Sequence, residues 1–300
     1  MSERVEPRVI WVTGATGYIG RAVCKALTRR GHDVVALVRS AEKAERIPEL
    51  ARCRLHVGDV LAPGTLRGAA AGVDTVIHLV GILRERGASS FESVVVDGTA
   101  AVLAEARRAG AKAVFYMSAI GADLDGPTRY FRTKARAEEL VRSSGLSWLV
   151  ARGSVVLGRA GEFFRLLADL TRFPLVPMPG SGRFELQPVL LEDVAEAVAR
   201  AVERPEAWNR VYGVCGPRRF TLAELLRLAS GKRGRVLVPL PWPLVVLGAR
   251  LGEHLLPHPP VTSDELAMLS RGNVCDPGPV ERALGVSFRG VEDLLAQVAT

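Results

Sequence analysis

A glycine-rich turn near the start of the chain constrains the fold more than any other feature. The apolar run Val9–Val12 ends in the sequence TGATGYIG at positions 13–20, and the residues after it have helical spacing. This order predicts a buried parallel strand, a tight turn and a helix. Gly14 permits the turn, Gly17 lets the backbone approach a pyrophosphate, and Gly20 lets the helix pack closely on the strand.

The start of this helix is predicted to bind the phosphates of a dinucleotide cofactor. Free N–H groups and the helix dipole at a helix N-terminus both favour anions. A three-glycine pattern alone is weak evidence, but a strand before it and a helix after it meet the structural test for the motif. The residues predicted to hold the cofactor here are Gly14, Thr16, Gly17, Tyr18, Ile19 and Gly20.

Strand-like and helix-like segments alternate along the first half of the chain, which predicts an α/β fold with a doubly wound parallel sheet of the Rossmann type. We expect a dinucleotide-binding domain at 1–155, in which Phe91–Arg108 forms one helix. A smaller, mostly helical C-terminal substrate or partner lobe is expected at 156–300, with part of the chain returning to the sheet. Leu170–Pro188 is rich in proline and glycine, so we expect loops and turns there.

The end of the second predicted strand favours NADP(H) over NAD(H). Proteins that bind NAD usually place an acidic residue there to accept a hydrogen bond from the ribose 2′-hydroxyl. This chain has Arg39 and Ser40, with Lys43 one turn later. A guanidinium can give a 2′-phosphate two hydrogen bonds. The alternative is that Arg39 is an ordinary solvated arginine.

Two further strand ends complete the predicted cofactor site. Asp59 follows the third strand and could bond the adenine amino group, while Val60 could cover the ring. The alternative for Asp59 is a simple turn cap. Leu79, Val80 and Gly81 follow the fourth strand, and their backbone is expected beside the pyrophosphate and the inner ribose.

Charge and cysteine content exclude several classes of function. The net charge is +8, but the arginines are scattered and form no compact basic arm, so we expect no nucleic-acid partner. The four cysteines show neither C-x-x-C spacing nor a nearby histidine at zinc-ligand spacing, so we expect no metal. We interpret them as reduced, as in a cytoplasmic protein.

The most apolar stretch is Val236–Gly248, which contains three prolines. It is too short to span a bilayer, and the N-terminal residues lack the apolar core of a secretory signal. One interpretation is a buried or partner-facing segment. The other is an interfacial anchor with Trp242 at the boundary, which would place the protein at the inner face of a membrane. The sequence indicates no oligomeric state.

Several motifs together resemble the extended or atypical short-chain dehydrogenase/reductases. They are TGATGYIG at 13–20, GDV at 58–60, HLVG at 78–81, MSA at 117–119 and YFRTK at 130–134. Segments 130–158, 186–198 and 238–255 are similar to the accessory-subunit family of respiratory complex I that holds an NADPH, and to its bacterial relatives.

The resemblance implies catalytic roles for Tyr130 and Lys134. In the superfamily the tyrosine exchanges the proton, and the lysine binds the nicotinamide ribose and lowers the pKa of the tyrosine. Residues four apart share one helix face, which fits these roles, although such a pair also arises by chance. Relatives place a further Ser or Thr where this chain has Ile120, and Ser118 is the candidate substitute. Without that hydroxyl, catalysis is less secure than cofactor binding.

We expect substrate contacts from the C-terminal lobe, at Phe163, Phe164, Arg165 and Gln187. The first hypothesis is an NADPH-dependent oxidoreductase that reduces an apolar carbonyl or quinone-like compound. The second is a non-catalytic NADPH-binding module that docks to a respiratory membrane complex through 236–256. The third is an epimerase or dehydratase of nucleotide sugars, which the scattered arginines of the lobe would allow.

Overall fold

The computed structural model describes residues 6–231, 234–256 and 259–298; the first five residues of the polar N-terminal segment lie outside the described residues. The strands are β1 (Val9–Thr13), β2 (Asp33–Val38), β3 (Arg54–Val57), β4 (Thr75–His78), β5 (Ala113–Ala119), β6 (Ser147–Gly153), β7 (Val156–Leu157), β8 (Leu175–Pro179), β9 (Glu185–Leu186), β10 (Val189–Leu190), β11 (Arg210–Val214), β12 (Phe220–Thr221) and β13 (Val236–Leu240). The α-helices are α1 (Tyr18–Arg29), α2 (Ala41–Glu45), α3 (Gly98–Arg108), α4 (Arg129–Arg142), α5 (Glu162–Leu170), α6 (Leu191–Glu203), α7 (Leu222–Ser230), α8 (Trp242–Leu255), α9 (Ser263–Ser270), α10 (Gly278–Leu284) and α11 (Glu292–Ala296).

A seven-stranded sheet organises the first part of the chain, in the order β11-β6-β5-β4-β1-β2-β3. The first six strands in sequence pair in parallel, with β1 between β2 and β4. Their side chains are apolar on both faces because helices cover both faces. The chain runs outward to β3 and then returns past β1 to β4, so β1 and β4 flank the point where a doubly wound sheet binds its ligand. The predicted Rossmann-type sheet is confirmed.

The chain forms two compact units, and neither is contiguous in sequence. The first comprises the chain up to Gly153 together with Leu191–Gly213 and Gly278–Ser287. In it, α6 packs on α1, and Arg30 donates to Glu203 at 2.9 Å and also pairs with Glu196.

The second unit comprises Ser154–Leu190, Val214–Pro277 and the described residues from Phe288 on. Helices surround three two-stranded ladders, β7–β10, β9–β12 and β8–β13. The prediction of loops throughout Leu170–Pro188 is wrong, because β8 and β9 form there. β8 pairs in parallel with β13, about sixty residues later, and a ladder of two edge strands tolerates its prolines.

The segment predicted as one helix at Phe91–Arg108 begins differently. Glu92–Asp97 forms a π-helical turn that continues into α3. The hydroxyls of Ser90 and Ser93 bond each other at 2.9 Å at its start. The wider turn brings Gly98 against Val60, where an added Cβ would lie 3.1 Å from a Val60 methyl group. Such single-turn π segments are frequent at functional sites.

The prediction that all four cysteines are reduced is wrong for one pair. Cys215 and Cys275 form a disulfide, whereas Cys24 and Cys53 are free thiols. The bonded pair is 60 residues apart, so no local spacing rule could reveal it. Within the described ranges, no group of three or more His, Cys, Asp or Glu side chains could hold a metal ion.

Candidate active site

The glycine turn joins β1 to α1 with backbone contacts that exclude larger residues. Gly14 has φ +74°, and an added Cβ would lie 3.0 Å from the carbonyl carbon of Leu79. A Cβ on Gly20 would overlap the Gly14 carbonyl. The Gly17 N–H donates to the Gly14 oxygen at 2.9 Å, which closes the turn. The requirement for glycine at these positions is therefore steric.

The first turn of α1 is available for an anion. Gly17 is its N-cap residue and supplies no side chain, and no acidic residue lies in the first turn. Thr16 is half-buried, and its carbonyl accepts from Nε of the exposed Arg21 at 2.9 Å. Arg21 was missed by sequence reasoning, although its place directly after the last glycine was a usable signal. Its guanidinium adds a positive charge where the dipole already favours an anion.

Tyr18 and Ile19, both half-buried, open α1. The Tyr18 hydroxyl is buried and has no hydrogen-bond partner among the described residues. Burial and, secondarily, the nearby Glu192 carboxylate raise the pKa of Tyr18, so this phenol stays protonated. An orphaned hydroxyl beside the glycine turn leaves one hydrogen bond for a bound molecule.

Arg39, at the end of β2, is exposed, and its side chain forms no hydrogen bond or ion pair with the residues that the structure describes. Ser40 caps α2, where its hydroxyl oxygen accepts from the Lys43 N–H at 3.4 Å. That contact uses an oxygen lone pair and leaves the hydroxyl hydrogen free to donate. Lys43 is also exposed. The three residues thus lie along one short segment that has unused donors.

The third strand end is held by its own turn. One Asp59 carboxylate oxygen accepts from the Leu61 N–H at 3.0 Å, and the Asp59 N–H donates to the Thr65 hydroxyl at 2.9 Å. Asp59 therefore caps a turn, and its second carboxylate oxygen receives no hydrogen bond from the described residues. Val60 is 7% exposed and belongs to the core of the first unit.

The fourth strand end lies directly beside the glycine turn. The Leu79 N–H donates to the Thr13 oxygen at 3.2 Å, and Leu79 and Val80 are half-buried. Gly81 follows, and a Cβ there would lie 3.2 Å from the Lys134 ammonium. Glycine at 81 therefore leaves room for the lysine to reach this strand end.

Tyr130 and Lys134 lie one turn apart on α4 and are both buried. The Lys134 ammonium donates to the Met117 oxygen at 2.9 Å and lies 4.9 Å above the Tyr116 ring. Burial lowers the pKa of Lys134 to about 8, and the Glu138 carboxylate opposes this effect.

The expected lowering of the tyrosine pKa is absent. Burial raises the pKa of Tyr130 to about 12. Its ring packs against Phe91 and Phe131, with ring centroids 5.8 Å and 5.6 Å away. In this apolar surrounding the charged phenolate is poorly solvated, so desolvation favours the neutral phenol. Tyr130 is therefore a protonated phenol near neutral pH.

The Ser118 hydroxyl donates to Glu138 at 2.6 Å. Glu138 is fully buried and also accepts from Arg152, at 2.9 Å and 2.8 Å, and from Arg142 at 2.5 Å. The Ser118 hydroxyl hydrogen is thus used in a bond to a carboxylate, whereas a catalytic hydroxyl would donate that hydrogen to the reacting oxygen of the substrate. Sequence reasoning missed Glu138, although it continues the four-residue spacing of Tyr130 and Lys134.

His78 at the end of β4 begins the HLVG motif, but sequence reasoning gave its side chain no role. Burial and the Lys134 charge lower the pKa of His78 to about 3, so the imidazole is neutral. Nδ1 lies 2.6 Å from the Thr13 hydroxyl and Nε2 lies 3.0 Å from the Thr99 hydroxyl. The Thr99 hydroxyl donates to the Val95 oxygen, so Nε2 donates to Thr99 and Nδ1 accepts from Thr13. This bridge fixes the spacing of β1, β4 and α3.

The predicted substrate residues belong to the second unit. Phe163 and Phe164 are half-buried on α5 against the core of that unit, and Arg165 is exposed. Gln187 is 2% exposed: its amide nitrogen donates to the Gly216 oxygen at 2.7 Å, and its amide oxygen accepts from the Cys275 N–H at 2.9 Å. Gln187 therefore joins the two cysteine-bearing segments, and both ends of its side-chain amide form hydrogen bonds within the second unit.

Comparisons with known proteins identify the family of this chain. A family model described as NAD(P)H-binding matches residues 14–205. The chain is 28% identical over 297 residues to NADH dehydrogenase (ubiquinone) 1 alpha subcomplex subunit 9, mitochondrial, of Mus musculus, covering 96% of this chain and 76% of the relative. The predicted resemblance to the complex I accessory-subunit family is confirmed.

A second relative and a solved structure are enzymes by name. The chain is 29% identical over 268 residues to 4-hydroxy-2-methyl-3-oxo-4-farnesyl-3,4-dihydroquinoline-1-oxide ketoreductase of Stigmatella aurantiaca, covering 82% of this chain and 80% of the relative. The fold also matches the NADPH-dependent quinone oxidoreductase of Escherichia coli complexed with NADPH, with TM-score 0.78, 20% identity and coverage of 97% and 100%.

Proposed function

This chain belongs to the NAD(P)H-binding family, and on that premise we propose that it is an NADPH-dependent oxidoreductase that reduces a carbonyl group of an apolar compound. One observation carries the proposal: Lys134, buried against Gly81, shares a face of α4 with the protonated phenol of Tyr130. The open start of α1 supplies the phosphate site that such chemistry needs.

The roles of the residues follow from their positions. The first turn of α1 would hold the pyrophosphate, and Arg39 the 2′-phosphate. Lys134 would donate to the ribose hydroxyls beside Gly81. When bound, NADPH supplies the hydride to the carbonyl carbon. Tyr130 would give its proton to the carbonyl oxygen as negative charge develops there, which yields the alcohol.

The substrate class is supported by two partly exposed aromatic side chains and by one relative. The ketoreductase of Stigmatella aurantiaca carries in its name a farnesyl group beside a ring carbonyl. In this chain, Phe163 and Phe164 present partly exposed rings on α5. We therefore propose a quinone-like or isoprenoid carbonyl compound as the substrate.

Turnover in the presence of such compounds tests the proposal. The purified chain would be mixed with NADPH and farnesyl-bearing quinones or ketones. Oxidation of NADPH would be measured by the loss of nicotinamide absorbance, and the alcohol product would be quantified in the same samples. We expect stoichiometric oxidation of NADPH. Tight NADPH binding without any turnover across this panel would contradict an oxidoreductase.

Arg39→Asp is expected to weaken NADPH binding by roughly tenfold or more and to improve NADH binding, because a bidentate, charge-assisted contact is replaced by a carboxylate that can accept from a 2′-hydroxyl. Dissociation constants for both nucleotides, measured by fluorescence titration, check this.

Arg54→Asp is the matched control for Arg39→Asp. Arg54 is also exposed, and its replacement by Asp makes the same change of charge. It is the first residue of β3 and pairs with Val35, so it lies towards the amino end of the strands. Unchanged nucleotide preference in this control, with a switch only in Arg39→Asp, is the expected pattern. Equal shifts in both variants would reduce the effect to net charge and refute the role of Arg39.

A second candidate is a non-catalytic NADPH-binding module that docks to a respiratory membrane complex through 236–256. It is favoured by the engagement of Ser118 with Glu138 and by Ile120 at the position where relatives have a hydroxyl. In both candidates we propose a cytoplasmic location, at the inner face of the membrane. The Cys215–Cys275 disulfide argues against this location, because disulfides are rare in reducing compartments. Cell fractionation combined with thiol trapping decides: recovery of the protein from an oxidising compartment with this bond intact would contradict a cytoplasmic location.

A further inference from the structure

Helix α8 exposes an apolar face to solvent, whereas an ordinary surface helix buries that face. Leu244, Leu247, Leu251 and Leu255 follow spacings of three and four and therefore share one face. They are 61%, 53%, 53% and 76% exposed. Ala249 is the one buried residue of the helix. The helix thus packs on its own unit through Ala249 and the half-buried Val245 and Val246, and its four leucines face solvent.

This leucine face, defined as those four side chains, has the character of an interaction surface. Scattered exposed leucines are ordinary, but a continuous apolar row marks a contact with a partner or a membrane. Eleven residues separate its ends, which corresponds to about 16 Å along the helix. Two further exposed leucines are close in sequence, Leu240 before the helix and Leu256 after it.

The charges on α8 are asymmetric. Arg250 is exposed and makes no hydrogen bond or ion pair with another side chain in the described ranges. His254 is exposed one turn later, with its Nδ1 2.9 Å from the Arg250 oxygen. The acidic residue of the helix, Glu253, is half-buried and accepts from the Ser263 N–H at 2.7 Å and from its hydroxyl. The exposed side of α8 therefore carries a cation and no carboxylate.

These charges discriminate between occupants of the leucine face. If a second copy docked through the same face with twofold symmetry, it would bring like-charged Arg250 side chains to a shared interface. A bilayer surface with anionic lipids would pair Arg250 with phosphates while its acyl chains cover the leucines. Of the helices the structure describes, none is long and apolar enough to cross a membrane, so α8 would lie along the surface.

Trp242 supports this orientation at the start of the helix. Its ring is half-buried and packs on Phe184, with ring centroids 5.2 Å apart. Tryptophan at one end of an interfacial helix is suited to the boundary between headgroups and acyl chains. We propose that α8 is an interfacial helix that binds this protein to an anionic lipid surface through the leucine face and Arg250.

Vesicle flotation tests the proposal with the full chain. We expect flotation with phosphatidylcholine vesicles that contain phosphatidylglycerol, and weaker flotation as salt is raised. The double variant Leu247→Glu with Leu251→Glu is expected to lose at least tenfold in partitioning. Arg250→Glu is expected to weaken binding to the anionic vesicles and to leave the small binding to pure phosphatidylcholine unchanged.

A second double variant, Leu83→Glu with Leu124→Glu, is the matched control. These leucines lie in the first unit and are 45% and 46% exposed. Their replacement by glutamate introduces the same charge as the double variant in α8. We expect wild-type flotation from this control and unchanged thermal unfolding in both double variants. Wild-type protein that does not float, or an equal loss in both double variants, would overturn the proposal. So would a dimer, seen by light scattering, that only the α8 variant dissociates.

Discussion

Tyr130→Phe is expected to lower kcat for carbonyl reduction by about 10²–10⁴-fold and to leave the Kd for NADPH within about twofold of the wild-type value. The substitution removes only the phenolic oxygen. The ring contacts with Phe91 and Phe131 do not involve that oxygen, so the fold should be retained. Steady-state kinetics and nucleotide titration measure the two constants.

The pH profile gives this prediction a second measurement. Because burial raises the pKa of Tyr130 to about 12, the phenol keeps its proton over the working range. Burial lowers the pKa of Lys134 to about 8, so Lys134 carries its positive charge below that pH and loses it above that pH. We expect kcat/KM of the wild type to fall above pH 8, with no tyrosine titration below it.

Tyr212→Phe is the control for Tyr130→Phe. Tyr212 is also buried, and its hydroxyl donates to the Ala207 oxygen at 3.1 Å. This variant should lose some stability and keep its activity. If it loses as much activity as Tyr130→Phe, or if Tyr130→Phe turns over normally, Tyr130 is not the proton donor.

Replacing Cys215 and Cys275 together with serine is expected to lower the free energy of unfolding of the second unit by about 2–4 kcal/mol, towards the upper end for a long loop. The crosslink joins residues 60 apart and so restricts the unfolded chain strongly. The Gln187 amide donates to the Gly216 oxygen and accepts from the Cys275 N–H, and these bonds hold the two segments together in the folded state without the disulfide. Denaturant unfolding should therefore show earlier loss of this unit with little change in its folded spectrum.

Dithiothreitol provides the internal control for the disulfide. It should shift the wild-type transition to that of the double serine variant and should leave the variant itself unchanged. Cys53→Ser, at a free and half-buried thiol, should unfold like the wild type. A wild-type transition that is insensitive to the reductant would show that the bond contributes nothing to stability.

Local patterns explain why much of the fold was predictable. The sequence from β1 through α1 to β2 reads as an apolar run, a glycine turn, a helical period and a second apolar run, and each signal lies within a few residues. The same holds for the turn at Gly14 and Gly20, where steric exclusion allows no other residue. The motif and its conformation are therefore encoded together.

Pairings between distant segments were not predictable. β8 contains Pro177 and Pro179 and becomes a strand only because β13 pairs with it. The disulfide likewise depends on segments that the fold brings together. The π-helical turn at Glu92–Asp97 differs from an α-helix in bonding each N–H five residues back instead of four, and the local run of valines is apolar in either geometry.

For the site residues, the sequence predicts their positions but not their surroundings. Lys134 could be expected near Tyr130, but burial of the phenol, which raises its pKa, depends on Phe91 from another segment. Ser118 could be placed at the end of β5, yet its partner Glu138 was visible only as a continuation of the helix period. The sequence predicts which side chains share a face, whereas their protonation depends on everything packed around them.

The discontinuity of the first unit has a consequence for biosynthesis. α1 emerges from the ribosome early, but α6, which carries Glu196 and Glu203 for Arg30, is made much later, and α10 later still. Domains generally fold as units during translation. The outer side of α1 must therefore stay uncovered until Leu191–Glu203 has been made, and the first unit is complete only once Gly278–Ser287 has followed.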